Sequence, residues 1–201
     1  MKNTITKISA IILAAGEAKR FGEPKQLLPW GNSTILGTVL DEFSKANFYS
    51  IIVVLGAYNE IIKQKLNHKL KNKNIVINEN WQKGMFSSII AGLKEAIKLN
   101  SDFALFHQGD MPFIKSDILN EFIKKAEKGK IIIATVNNRP AHPYLIHKDY
   151  FNEILNMDGK EGMRPFIRKY FNDAFKIKVP YKTGKQDIDT WDDYRRLKNG
   201  I

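Results

Sequence analysis

The 201-residue chain contains no cysteine. That excludes a disulfide framework and a thiolate metal centre, so any metal must be held by oxygen or imidazole. Oxygen ligation is the chemistry of a magnesium enzyme, and a cytoplasmic location is expected. Long apolar runs are missing too. The first one, Ile8 to Ala15, is too short to span a bilayer and ends in a glycine loop rather than a cleavage site, so neither a membrane segment nor a targeting segment is expected. Internal repeats, low-complexity tracts and linkers are also lacking, and the length suits a single domain covering residues 1–201. Acidic residues are in deficit, 21 against 32 lysines and arginines, for a net charge of +11. This balance favours polyanionic partners, although much of it also reads as a lysine-rich solvated surface. Nucleic acid is not expected as a partner. The cations are scattered instead of forming a stripe interleaved with aromatics, with only a short cluster at Lys63 to Lys73.

What is present is an alternation of short apolar strands and amphipathic helices. Strands are expected at Ile8 to Ala15, Ser50 to Leu55, Ile75 to Asn78 and Phe103 to His107. Helices are expected at about Thr34 to Ala46, Tyr58 to Leu66 and Ser87 to Leu99. Continuous apolar runs flanked by helices of 3.6 periodicity predict a doubly wound α/β fold, with one mostly parallel sheet covered on both faces. Beyond Asp110 the pattern predicts a helix at Asp117 to Lys128, a strand at Lys130 to Val136, an irregular proline-bearing stretch and a strand at Tyr144 to His147. Helices at Lys148 to Asn156 and Met163 to Tyr170 follow, then a strand at Phe175 to Val179 and a closing helix at Trp191 to Leu197, with mixed strand directions in this half.

The segment Leu13-Ala14-Ala15-Gly16-Glu17-Ala18-Lys19-Arg20-Phe21-Gly22-Glu23-Pro24-Lys25 leaves the first strand with small residues, two glycines and three cations. Small residues let a ligand approach the backbone, and loops beyond strand carboxyl ends can meet phosphate oxygens. The segment has neither the Gly-Lys-Ser/Thr of a P-loop nor the tight three-glycine spacing of a dinucleotide fingerprint. Instead, Leu-Ala-Ala-Gly-x-x-x-Arg-Phe-Gly-x-x-Lys closely resembles the signature of the nucleotidyltransferases that mature the molybdenum cofactor. The resemblance implies that the loop wraps a nucleotide and that Arg20 and Lys25 stabilise the triphosphate and the charge that builds during transfer. Ala18 stands where that family usually has Ser.

Two acidic motifs lie further on. Phe106-His107-Gln108-Gly109-Asp110-Met111-Pro112 puts a carboxylate at the carboxyl end of a buried strand, where it can bind magnesium or simply shape a turn. In Asp187-Ile188-Asp189-Thr190-Trp191-Asp192-Asp193-Tyr194, Thr190 can cap the closing helix while Asp192 and Asp193 favour its dipole. By resemblance, Asp110 and Asp189 are the magnesium ligands, and Arg20, Lys25 and Asp110 carry catalysis.

Three further constellations follow the family pattern. Asn78-Glu79-Asn80-Trp81-Gln82-Lys83-Gly84-Met85-Phe86-Ser87-Ser88 joins a strand to a helix that Ser87 or Ser88 could cap, and its residue types match the cytidylyltransferase branch. The guanylyl branch differs at Ala15-Gly16 and at Met85-Phe86. Nucleotide contacts are therefore expected from Leu13, Ala14, Ala15, Gly16, Arg20, Lys25, Asn78, Gly84, Ser87 and Ser88. In Pro140-Ala141-His142-Pro143, His142 is either structural or a contact to the second substrate. Gly159-Lys160-Glu161-Gly162-Met163-Arg164 departs from the family pattern at Lys160. The resemblance assigns acceptor binding to His142 and Arg164.

The expected activity is transfer of CMP from CTP·Mg²⁺ to molybdopterin, with release of pyrophosphate and with a molybdoenzyme as a possible client. GTP with molybdopterin, or an NTP with a sugar phosphate, would use the same fold. A non-catalytic pterin-cofactor carrier is the reading from a different class, and a triphosphate clamp argues against it.

Overall fold

The computed structural model describes residues 6–198. In chain order the elements are β1 (Ile8–Ala14), a hairpin of β2 (Pro29–Trp30) and β3 (Ser33–Thr34), α1 (Ile35–Ser44), β4 (Ser50–Leu55), α2 (Asn59–Lys65), α3 (Asn67–Leu70) and β5 (Asn74–Ile77). They continue with α4 (Met85–Lys98), β6 (Phe103–Gln108), α5 (Ser116–Lys125), β7 (Ile131–Val136), β8 (Arg139–His147), α6 (Phe151–Leu155), α7 (Arg164–Tyr170), β9 (Phe175–Lys178), α8 (Tyr181–Lys185) and α9 (Trp191–Lys198). Among the described residues no helix is long and apolar enough to cross a membrane.

A seven-stranded sheet runs β5-β4-β1-β6-β8-β7-β9. Every pairing is parallel except those of β8, which lies antiparallel to both β6 and β7. All seven residues of β1 are buried, because helices cover both faces and each face needs an apolar partner. One core packs Leu36, Leu40 and Phe43 of α1 and Leu119 and Phe122 of α5 against the sheet. The other packs Ile89 and Leu93 of α4 and Phe166 and Ile167 of α7 against the opposite face. This is the doubly wound, mostly parallel α/β architecture expected.

The structure departs from the sequence pattern where side-chain chemistry overrides periodicity. The proline-bearing stretch is not irregular: β8 starts at Arg139, after Asn137 and Asn138 with φ of 50° and 57°. Two successive left-handed residues make the turn that matches strand twist, and asparagine tolerates that conformation. His142 and Pro143 fall where the pairing jumps from Ile133↔Tyr144 to Ala134↔Ala141. A bulge accommodates them, since proline has no N–H to give the ladder. Neither Ser87 nor Ser88 caps α4, which already begins at Met85 after Gly84 with φ of 94°. The loop after β1 also carries a 3-10 turn at Lys25–Leu27 and the β2–β3 hairpin.

β6 also carries an acid-sensitive group. His107 is fully buried, its Nε2 lies 3.2 Å from the Met111 carbonyl and its ring packs 5.4 Å from Phe43. Burial pushes its pKa down to about 4, so the folded chain holds the ring neutral while the unfolded chain protonates near 6.5. Between these values the unfolded state binds the extra proton, so stability rises with pH. His107 by itself should lower the folding free energy by about 3 kcal/mol as pH drops from 6.5 to 4, on top of whatever other groups contribute. Denaturant melts across that range check this by the difference between the wild type and His107→Gln, and an unchanged slope in the variant would show that the histidine contributes nothing.

Candidate active site

The carboxyl ends of β1 and β6 open onto a cleft of about 750 Å³. Its floor is the glycine loop. Gly56, at the end of β4, allows the loop to lie close, since a Cβ there would sit 2.6 Å from the Ala15 carbonyl oxygen. Ala18 takes a left-handed φ of 53° and starts a turn closed by the Phe21 N–H on the Ala18 carbonyl at 2.8 Å. Phe21 then anchors the loop in a third cluster with Trp30, Ile35, Ile188 and Tyr194. Its ring meets Trp191 at 5.1 Å, and the Tyr194 hydroxyl donates to the Pro29 carbonyl at 2.7 Å. These contacts dock α9 on the β2–β3 hairpin and carry the acidic segment before α9 to the mouth of the loop.

Lys25 is the centre of the site. Its Nζ lies 2.6 Å from Asp110 Oδ2, 2.9 Å from Asp189 Oδ1 and 2.8 Å from the Ile188 carbonyl oxygen, which engages all three N–H donors. Burial opposes its charge, but Asp110 and then Asp189 outweigh burial and hold its pKa above the usual lysine value. Arg20 stands at the rim, largely exposed, with Nη1 3.9 Å from Asp189 Oδ2. Asp110 Oδ1 is buried and has no hydrogen-bond partner. A third carboxylate, Asp187, also lines the cleft. Burial, then the charges of Asp189 and Asp110, push its pKa up.

The acidic end motif divides between structure and site. Thr190 and Asp193 form a reciprocal cap: the Thr190 N–H donates to Asp193 Oδ2 at 3.1 Å and the Asp193 N–H donates to Thr190 Oγ1 at 3.1 Å. Asp192 points outward to Arg195. That leaves Asp187 and Asp189 facing the cleft.

Of the expected nucleotide contacts, Leu13, Ala14, Ala15, Gly16, Arg20, Lys25, Gly84 and Ser88 line this cleft. Asn78 and Ser87 stand behind its wall. The buried Asn78 amide donates to Ser87 Oγ at 2.8 Å and to Ser88 Oγ at 2.9 Å, while Ser87 donates to the Gly84 carbonyl at 2.8 Å. This pair shapes the turn that presents Gly84 and Ser88. Arg164 lines the cleft and, among the described residues, makes no ion pair with a carboxylate. His142 sits one layer back, where its Nε2 accepts from the Gln108 amide at 3.0 Å. Accepting requires the neutral ring, and burial followed by His107 pushes its pKa down to about 3. Gln108, not His142, reaches the cleft wall.

Sequence reasoning passed over Gln26, Gln108 and Asp187. Each was legible only as a polar residue beside a motif: Gln26 follows Lys25, Gln108 precedes Gly109-Asp110, and Asp187 lies two positions before Asp189.

Known proteins share both pattern and shape. Residues 10–174 match the family described as MobA-like NTP transferase domain. The chain is 27% identical over 196 residues to the molybdenum cofactor cytidylyltransferase of Escherichia coli (strain K12), covering 96% of this chain and 97% of that one. It is 26% identical over 199 residues to the nicotine blue oxidoreductase of Paenarthrobacter nicotinovorans, with coverage of 94% and 96%. In shape it resembles Rv0371c from Mycobacterium tuberculosis H37Rv, with a TM-score of 0.87 at 28% identity over 98% of this chain and 99% of that one. A crystal structure of the same protein is described as a complex with manganese, with a TM-score of 0.79 at 26% identity, over 98% of this chain and 100% of that one. With the glycine loop, Lys25 and the carboxylates gathered at the strand ends, and with the family matched over most of its length, the chain belongs to the MobA-like NTP transferase family and is a nucleotidyltransferase.

Proposed function

We propose that the enzyme transfers CMP from CTP to the terminal phosphate of molybdopterin and releases pyrophosphate. The observation that carries this reading is the Lys25 ammonium joined to Asp110 and Asp189 at the strand ends, with Arg20 at the rim. That set matches a reaction in which charge accumulates on phosphate oxygens. The cytidylyl assignment draws on the relative named a molybdenum cofactor cytidylyltransferase and on Ala15-Gly16 and Gly84-Met85-Phe86-Ser87-Ser88.

The donor set fits a hard divalent cation such as Mg²⁺. Asp110 Oδ1 is buried without a partner, and such an ion is held by one or two carboxylates completed by substrate phosphates, which suits a site where, among the described residues, no three carboxylates or imidazoles gather to hold it alone. Asp110 and Asp189 would hold it, and when bound it would neutralise charge on the α-phosphate and the leaving pyrophosphate. Lys25, released from its carboxylates, follows the same oxygens, and Arg20 closes on the outer phosphates. An oxygen of the acceptor phosphate forms the new bond to the α-phosphorus as the bond to pyrophosphate breaks. That oxygen is already ionised at neutral pH, so no side chain has to remove a proton. Positioning and charge neutralisation suffice. Arg164 in the cleft wall, which pairs with no carboxylate among the described residues, is suited to an anionic acceptor, and His142 supports that wall through Gln108.

The test is pyrophosphate release from CTP, GTP, UTP and ATP in the presence of molybdopterin and Mg²⁺. CTP should lead GTP on the order of 10²-fold or more in kcat/KM, because fixed donors and acceptors leave a wrong base with buried unpaired groups. A clear preference for GTP or ATP would overturn the cytidylyl assignment. Release from no nucleotide would favour the carrier reading instead.

A further inference from the structure

The four carbonyls from Leu13 to Gly16, where the glycine loop leaves β1, are engaged by the protein. The Leu13 oxygen accepts from the Gly109 N–H at 2.8 Å and the Ala15 oxygen from the Ala57 N–H at 3.2 Å. The other two are taken by one side chain: Gln26 Nε2 donates to the Ala14 carbonyl at 3.1 Å and to the Gly16 carbonyl at 2.9 Å. Both amide hydrogens are thereby used. The amide orientation follows from the surroundings, since the reversed one would set Gln26 Oε1 against two carbonyl oxygens. Gln26 is 3% exposed, and its Oε1 is buried with no partner. An unpaired buried carbonyl lowers stability, so an apolar residue would serve better if the position only filled space. The donor end of the amide is what requires glutamine here.

We propose that Gln26 is a positioning residue that sets base specificity: it occupies the Ala14 and Gly16 carbonyls, leaving the stretch from Leu13 to Gly16 only N–H donors to offer a base. The proposal rests on the reading that this loop wraps the nucleotide. Cytosine presents a ring nitrogen and a carbonyl oxygen that accept hydrogen bonds, and these suit a donor-bearing loop. The corresponding edge of guanine carries two adjacent donors, N1–H and the 2-amino group. Donors facing that stretch, where no carbonyl is free, are desolvated unpaired, which is a strong means of rejecting a ligand. Gln26 borders the cleft but is almost fully buried, so it acts through the peptide groups it pins.

The experiment is calorimetric titration of the full-length enzyme with CTP·Mg²⁺ and GTP·Mg²⁺, without acceptor so that no turnover occurs. It compares the wild type with Gln26→Met, which keeps length but cannot donate, and with Gln26→Glu, which keeps shape but presents only acceptors at neutral pH. Each variant frees the two carbonyls. The ratio of the GTP to the CTP dissociation constant should fall tenfold or more in each variant, and the thermal midpoint should shift by only a few degrees. A purely structural role would reduce the active fraction or weaken both nucleotides alike, leaving the ratio unchanged. If Gln26→Met fails to fold, Gln26→Glu gives the same reading. An unchanged ratio in a folded variant, with the wild type preferring CTP, overturns the role of Gln26 alone. A wild type that binds neither nucleotide, or prefers GTP, overturns the cytidylyl reading and this inference with it.

Discussion

Asp110→Ala should lower kcat on the order of 10³-fold while leaving the fold intact, because in the proposed reaction Asp110 supplies charge at the reacting phosphate and little packing. Its carboxylate stands just beyond β6, one oxygen on Lys25 at 2.6 Å and the other buried and free. Lys25 keeps Asp189 and the Ile188 carbonyl in the variant, so no buried ammonium is stranded. Asp110→Asn should lose nearly as much, since an amide keeps the shape but removes the charge. Single-turnover rates with saturating CTP and Mg²⁺ make the measurement, with circular dichroism to check the fold. Near-wild-type turnover in a folded Asp110→Ala enzyme would remove this residue from the chemistry.

The second large effect falls on Lys25. Lys25→Ala should cut kcat by about 10² to 10³-fold and change the KM for the nucleotide far less, because an ammonium matched to the transition state contributes most where charge has moved toward the leaving pyrophosphate. In the free enzyme the same substitution leaves Asp110, Asp187 and Asp189 facing one another without a cation between them. Lys25→Arg should rescue poorly. A planar guanidinium cannot reproduce three bonds from one compact nitrogen to two carboxylates and a carbonyl. A rise in KM with kcat unchanged would make Lys25 a clamp for the ground state only.

Much of the site was legible because its parts are local. An apolar run followed by Leu13-Ala14-Ala15-Gly16 announces a strand and a loop that a ligand can approach. Asp110 after a second apolar run marks another strand end. Parallel pairing of Leu13 with Gln108 then brings the two ends side by side. Asn78 and Ser87 were legible as a motif, but their placement was not. The turn that ends at Gly84 starts α4 early and points both side chains into each other, away from the cleft. His142 met a similar fate for a different reason, since a bulge opposite Ile133 and Ala134 sets its ring behind Gln108.

By itself, then, the sequence determined the order of the seven sheet strands and of the longer helices, the doubly wound sheet and the two strand-end motifs, since these depend on periodicity and on residues within one turn of each other. Tertiary structure decided what those motifs touch. Lys25 meets Asp189 across 164 positions of sequence only because Phe21, Trp30, Trp191 and Tyr194 dock α9 beneath the glycine loop. Gln26 closes on Ala14 and Gly16 only because a 3-10 turn folds it back under the strand it follows. Hydrogen bonds and ion pairs act over a few ångströms, so which groups share a site depends on packing between distant segments rather than on local pattern.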